Sequence, residues 1–235
     1  MHMADALLSP GVGGAMLTAT AATTLYCARK VQSQLDNRKI SLMGVLGPFV
    51  FAAQMINFAI HATGSSGHMG GGLLLAILLG PHAAFLTLSS VLTVQALFFA
   101  DGGLLALDCN ICNLGFFPCF IAYPFIYKKI VKDKPDPRRL AIGSILAAVI
   151  GLQLGSLGVV LQTHLSGIAA LSLFSFLVIM QPIHLDFSLI IGATGSHVPH
   201  KSLIQGRATF MPDAAQAVNR FPLDLLSRST NSLRF

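Results

Sequence analysis

The second residue of the chain is a histidine, and that position has a chemistry of its own. A free amine on Met1, the backbone nitrogen of His2 and the Nδ1 of its ring can bind one metal ion together. The amine and amide close a five-membered chelate ring, and the amide and Nδ1 close a six-membered one. Three nitrogens then lie in one plane, and a fourth completes the square-planar field that Ni(II) and Cu(II) favour. The amide must lose its proton, so such binding weakens in acid. The arrangement needs Met1 retained, which is expected when the second residue is as large as His. The opening Met1-His2-Met3-Ala4-Asp5 also lacks the positive start of a cleavable signal peptide, so the mature chain is expected to begin here. The opposing explanation is an incidental histidine after a start residue. A fourth nitrogen is available in the glycine-rich segment 62–72, where His68 is the candidate and glycines let backbone approach a ligand. His61 competes with it, but a solvated or capping role suits His61 better.

A third polar segment holds Asp101-Gly102-Gly103 and Asp108-Cys109-Asn110-Ile111-Cys112-Asn113. Asp101 is expected to attract a cation or close a hydrogen-bond network. Asn110 and Asn113 are candidates to orient the ligand loop, and Ser66, two residues before His68, joins them as a supporting residue. Helix capping accounts better for Asp108. Cys109-x-x-Cys112 is half of a zinc signature and weak without a second pair. His82 stands beside Pro81, and His164 stands near the end of an apolar run. His184 lies inside the last apolar run, where a polar residue is costly. A structural hydrogen bond and a metal relay explain His184 equally well. The chain contains no P-loop, no G-x-S-x-G and no H-E-x-x-H.

The elements that must position these residues are membrane helices. Of the 235 residues 54% are hydrophobic and 10% charged, with mean hydropathy +0.71, too few polar groups to cover a soluble globule. All nine acids are Asp, and the net charge is +6. The cations fall in three blocks, 29–39, 128–139 and 201–234, that interleave with no aromatic platform, so nucleic acid is not an expected partner. The four cysteines imply no disulfide framework. Apolar runs at 12–28, 40–60, 69–100 (divided at Gly80-Pro81-His82), 109–127, 140–162 and 168–191 give seven candidate spans. Placing the N-terminus outside puts every Lys and Arg on the cytoplasmic side. It puts His2, His61, His68, Asp101, Asp108 and His164 on the other. The expected fold is therefore an all-α polytopic membrane bundle of about seven transmembrane helices with an extracytoplasmic N-terminus. Residues 1–192 form its integral membrane domain, and 193–235 a poorly ordered cytoplasmic tail. Gly151 and Gly155, like Ala15 and Ala19, allow close helix contact.

Several segments carry a family resemblance. The opening from Met1 to Pro10 resembles that of the cobalt/nickel substrate-binding subunits (S-components, CbiM/NikM type) of energy-coupling factor ABC transporters. So do Gly64-Ser65-Ser66-Gly67-His68 with Gly71-Gly72, and Leu79-Gly80-Pro81. Phe98-Phe99-Ala100-Asp101-Gly102-Gly103-Leu104 with Asn110 and Asn113, and Gln181-Pro182-Ile183-His184-Leu185, match as well. The resemblance runs from residue 1 to about 185. It implies a multi-pass protein of the prokaryotic inner membrane that captures Co(II) or Ni(II) as substrate, with no organic cofactor and no catalysis of its own. It implies a metal held by the Met1 amine, the amide and imidazole of His2, and His68. It also implies a transmembrane coupling subunit, cytoplasmic ATPases and a small accessory membrane subunit as partners, and for cobalt a link to cobalamin biosynthesis. After Leu185 the sequence departs from the family pattern, so a shortened final helix is expected. The competing functions are a stand-alone secondary transporter or channel for a divalent cation, and an intramembrane enzyme. The first should show ionisable residues along a midplane path, and the second a nucleophile–base set.

Overall fold

The computed structural model describes residues 2–33, 37–60, 63, 65–132, 136–168 and 172–196. The chain starts with a two-residue strand, β1 (His2–Met3), and a short turn of 3-10 helix over Asp5–Leu7. Ser9 then begins helix α1 (Pro10–Gln32) by accepting a hydrogen bond from the Val12 amide at 3.4 Å. Pro10 takes the first helical position, where no N–H is needed. Arg29 and Lys30 in the last turn complement the helix dipole. Helix α2 (Asn37–Gln54) leads into strands β2 (Asn57–Ile60) and β3 (Ser65–His68). Helices α3 (Gly72–Leu79) and α4 (Pro81–Phe99) meet at Gly80, whose φ of 82° suits only glycine without strain, so the break falls where Gly80-Pro81 predicts it.

A continuous helical segment follows, made of α5 (Leu107–Ile111), a stretch of wide, i→i+5 bonded helix over Cys112–Tyr127, and α6 (Lys128–Val131). Pro118 and Pro124 lie inside the wide stretch, where missing amide donors go with departure from α geometry. Helices α7 (Pro137–Leu165) and α8 (Leu173–Ser196) complete the bundle.

Among the described residues, four helical segments are long and apolar enough to cross a membrane: Pro81–Phe99, Leu107–Val131, Pro137–Leu165 and Leu173–Ala193. Seven were expected. Helices α1 and α2 occupy the first two expected spans but are less apolar. Helix α3 has eight residues, about 12 Å at 1.5 Å per residue, well short of a ~30 Å hydrocarbon core. The apolar run divides at Gly80 as expected, and its first three residues, Met69 to Gly71, link β3 to α3 outside the helix.

Packing is tight where small residues let backbones approach. A Cβ on Gly72 would overlap the Leu114 carbonyl oxygen, and Gly151 rests against Pro118 and Ala122. Ala15 and Ala19 face outward instead. A buried amide pair, Gln95 Nε2 donating to Gln54 Oε1 at 3.3 Å, joins α4 to α2. Large apolar side chains such as Ile56, Phe98, Leu165 and Phe174 are exposed, as expected of a surface solvated by lipid. Helix α8 does not end at the expected place. It continues past Gly192 to Ser196, because Gly192 packs against the Ile145 backbone and serves as a contact, not a stop. The rest of the 193–235 tail lies outside the described residues.

A candidate metal centre

The ends of the elements gather one polar site. Strands β1, β3 and β2 form an antiparallel sheet in that order, with His2 opposite Ser66, Met3 opposite Ser65 and Asn57 opposite His68. Side chains alternate across a strand, so Ser66 and His68 share the face to which His2 points. The His2 and His68 rings lie together at 4.3 Å between centroids and 36° between planes. Both are buried, at 3% and 0% exposure. The sequence pointed to a glycine-rich loop that brings His68 to a ligand. It is a strand, paired on one side in a hairpin with β2, where Phe58 lies over Gly67, and on the other with β1, more than sixty residues away.

The N-terminal strand is held by groups the sequence only partly indicated. The Met3 amide donates to Asn110 Oδ1 at 2.9 Å, Asn110 Nδ2 returns a bond to the Met3 carbonyl at 3.4 Å, and the Gly103 amide adds another at 3.1 Å. The Asp5 carboxylate accepts from the Leu104 and Ala106 amides at 3.1 and 3.0 Å. A Cβ on Gly103 would overlap that carboxylate, and Gly102, with φ of 86°, turns the chain beside His2. Asn110 thus acts on the backbone of β1. Asn113 acts one layer deeper, in a reciprocal amide pair with Gln162 at 2.8 and 3.2 Å, and reaches Met3 Sδ at 3.9 Å.

Asp101 comes to His2, with Oδ1 2.9 Å from His2 Nδ1, although neither ring nitrogen of His2 makes a well-aligned hydrogen bond. Asn57 donates to the other Asp101 oxygen at 3.0 Å. Burial drives the His2 ring below its ordinary proton affinity, against the pull of Asp101. Burial above all, with the His2 ring adding to it, drives the His68 ring well below its ordinary proton affinity. Burial works to raise the Asp101 carboxyl, but the contacts with His2 and Asn57 outweigh it and hold it low. Near neutral pH the site therefore presents two neutral imidazoles and one carboxylate.

The His68 tautomer follows from its partner. Its Nδ1 is 3.0 Å from the Met69 carbonyl, which can only accept, so Nδ1 carries the proton and Nε2 a bare lone pair. That Nε2 is buried and has no hydrogen-bond partner, as is Ser66 Oγ. Ser66, His2, Asn57 and Asp101 line a recess of about 620 Å³.

Met1 and His61 lie outside the described residues. Asp108 caps nothing, contrary to expectation: it sits inside the first turn of α5. Cys109 is buried, Cys112 partly so, and both are free thiols. Among the described residues no three His, Cys, Asp or Glu side chains converge on one ion. Asp5, Asn57 and Gln162 were missed in sequence. Asp5 had a signal, a carboxylate placed to cap the turn after His2, while Asn57 and Gln162 had none.

Residues 2–196 match the family model described as the cobalt uptake substrate-specific transmembrane region, CbiM. The chain belongs to this family. It is 36% identical over 162 residues to the probable fused nickel transport protein LarMN of Lactiplantibacillus plantarum, covering 66% of this chain and 49% of that one. It is 27% identical over 168 residues to the cobalt transport protein CbiM of Geobacter sulfurreducens, covering 70% and 46%. Like these two, the other curated relatives it matches are covered over only part of their length. A crystal structure of a truncated transition metal transporter superposes with a TM-score of 0.77 at 26% identity, over 88% of this chain and 100% of that chain. The protein is a multi-pass membrane component of the cobalt and nickel uptake family, and the match extends beyond Leu185, through the end of α8.

Proposed function

We propose that the protein is the substrate-capturing S-component of an energy-coupling factor transporter. In this reading it takes Co(II) or Ni(II) from outside the cell and passes it on under ATP hydrolysis by separate subunits. The observation that carries the proposal is the buried His2–His68 pair, with an unpartnered lone pair on His68 Nε2. A buried acceptor without a donor costs about 1–3 kcal/mol, and a metal ion relieves it.

The proposed donors are the Met1 amine, the His2 amide nitrogen, His2 Nδ1 and His68 Nε2. The amine is one residue from the His2 amide, so the two can always close a chelate ring. The ion takes the place of the Asp101 contact at His2 Nδ1, and the nearby carboxylate offsets its charge. An all-nitrogen planar set favours nickel chemically. A transmembrane coupling subunit, cytoplasmic ATPases and a small accessory membrane subunit complete the assembly, and the chain performs no covalent chemistry itself. Its 1–192 region forms the membrane body, and the N-terminus faces outside.

Ni(II) titration calorimetry on the detergent-solubilised protein tests the ligand set. His2→Ala, His68→Ala and an acetylated amine should each cost more than about 100-fold in affinity, beyond the usual effect of an outer-sphere change. Cys109→Ala should cost little. If a blocked amine binds as tightly as a free one, the proposed site is wrong. Uptake into liposomes only when the ATPase subunits are present separates this reading from a stand-alone transporter.

A further inference from the structure

Outside the metal centre the structure holds a buried histidine and an open groove. His184 of α8 is fully buried, with Nδ1 2.7 Å from the Met180 carbonyl one turn earlier, a hydrogen bond within its own helix. The groove has no partner within the chain. It runs between α2 and α4 and encloses about 660 Å³. Ile40, Gly44, Gly47 and Phe51 line it from α2, the i, i+4, i+7, i+11 stripe of one helix face. Thr87 and Ser90 line it from α4. A Cβ on Gly47 would stand 3.3 Å from Thr87 Cγ2, so the two helices touch there and form the floor. A Cβ on Gly44 would meet nothing within 4 Å, so the groove is open above it.

The wall is apolar in effect as well as in composition. Thr87 donates to the Ala83 carbonyl at 2.8 Å and Ser90 to the Leu86 carbonyl at 3.0 Å, so both hydroxyl protons are spent within α4. Pro48, also in the wall, has no amide proton to offer. The two ends differ. Toward the metal centre the Phe51 and Phe99 rings meet edge to face at 5.0 Å, and the buried Gln95–Gln54 pair joins the helices near by, so the groove is blind there. At the other end Ile40 directly follows Arg38 and Lys39 in the first turn of α2. From Ile40 to Phe51 the helix rises about 16 Å at 1.5 Å per residue, close to half of a ~30 Å hydrocarbon core.

We propose that this groove seats an acyl chain of an anionic glycerophospholipid, with the lipid phosphate at Lys39 and Arg38. A partner's transmembrane helix would cross both leaflets, whereas the groove closes after about one. A glycerophospholipid has that reach, with hydrocarbon in one leaflet and a phosphate at its edge. An ammonium has three N–H donors and a guanidinium five, so both can serve a phosphate beside other contacts. Basic residues at clefts between membrane helices on the cytoplasmic side recognise anionic headgroups in this way, in keeping with the orientation proposed above. Seated there, the lipid braces α2 against α4, whose far ends lead to Asn57 and Asp101, 3.0 Å apart beside His2.

The test uses the full chain in detergent, offered an equimolar mixture of phosphatidylglycerol and phosphatidylcholine with the same acyl chains. Lipid retained through gel filtration is counted by mass spectrometry. The intact protein should retain phosphatidylglycerol over phosphatidylcholine by at least about fivefold, as two basic residues at the headgroup allow. Gly44→Phe, which fills the open part of the groove, should lose most of both lipids. Arg38→Gln with Lys39→Gln should keep lipid but bring the two kinds to within about twofold of each other. Two controls should change neither amount nor preference: Ile142→Phe, at an exposed position of α7, and Lys128→Gln with Lys129→Gln, in the second basic block. Thermal unfolding shows whether each variant is folded, and Gly44→Leu carries the comparison if Gly44→Phe is not. Absence of any preference in the intact protein overturns the proposal. So does retention that survives filling the groove, which would leave the groove to another occupant, or a preference lost equally on changing Lys128 and Lys129. No metal is added, so the result stands apart from that of the proposed metal centre.

Discussion

At the scale of single residues, the site depends on groups that touch no metal. Asn110 satisfies both the amide and the carbonyl of Met3, so it fixes where the His2 backbone nitrogen points. Asn110→Leu should lower Ni(II) affinity by about 10–100-fold, the usual cost of removing an orienting partner. Because the change is local, thermal unfolding of the bundle should shift little, and calorimetry with a melting curve on one sample checks both. Gly103→Ala acts through the same strand. Its Cβ would displace the Asp5 carboxylate from the Leu104 and Ala106 amides, so affinity should fall in the same direction. Asp5→Ala removes the same two hydrogen bonds, so it should lower affinity in the same direction, and the double variant should lose little more than either change alone.

At the scale of elements, the wide helix over Cys112–Tyr127 and α7 are joined by the Asn113–Gln162 pair, and Gly158 leaves the space that the Asn113 side chain fills. Gln162→Leu strands a buried amide and should cost about 1–3 kcal/mol of stability. Replacing both partners by Leu should recover part of that loss, since no polar group is then left unpaired. Thermal unfolding of the single and double variants in one detergent measures the difference. Gly72 at the start of α3 lets its backbone meet the Leu114 carbonyl in the same wide helix.

At the scale of the whole molecule, the bundle has two chemically different ends. His82 packs between Tyr26 and Phe120, within electrostatic reach of Lys30 and Lys39, so the Gly80-Pro81 break lies at the end of the first basic block. His2, His68 and Asp101 gather at the other. With the basic end cytoplasmic, an impermeant thiol reagent applied to intact cells should label Ala59→Cys, on an exposed strand position, and spare Ser33→Cys until the membrane is opened. The reverse pattern would invert the proposed orientation. Truncation after Ser196 keeps all of α8 and should leave Ni(II) affinity within about twofold, since the proposed orientation puts the tail on the side of the membrane away from the site.

Composition alone determined the membrane class, because burying so few charges in so much apolar surface has no soluble solution. Local chemistry determined the start of α1, the break at Gly80 and the chelating power of a histidine at position 2, each readable within a few residues. His68 and Asn110 were legible as candidates from their types and segments. Tertiary structure alone decided which residues share the site. Strands of two and four residues carry no periodicity to read, and β1 finds its partner β3 more than sixty residues away. The same holds for Asn57 on Asp101 and Gln162 on Asn113. Hydrophobic patterning says which segments enter the membrane, but the neighbours of a buried polar atom are chosen by packing between helices, which no short window of sequence contains.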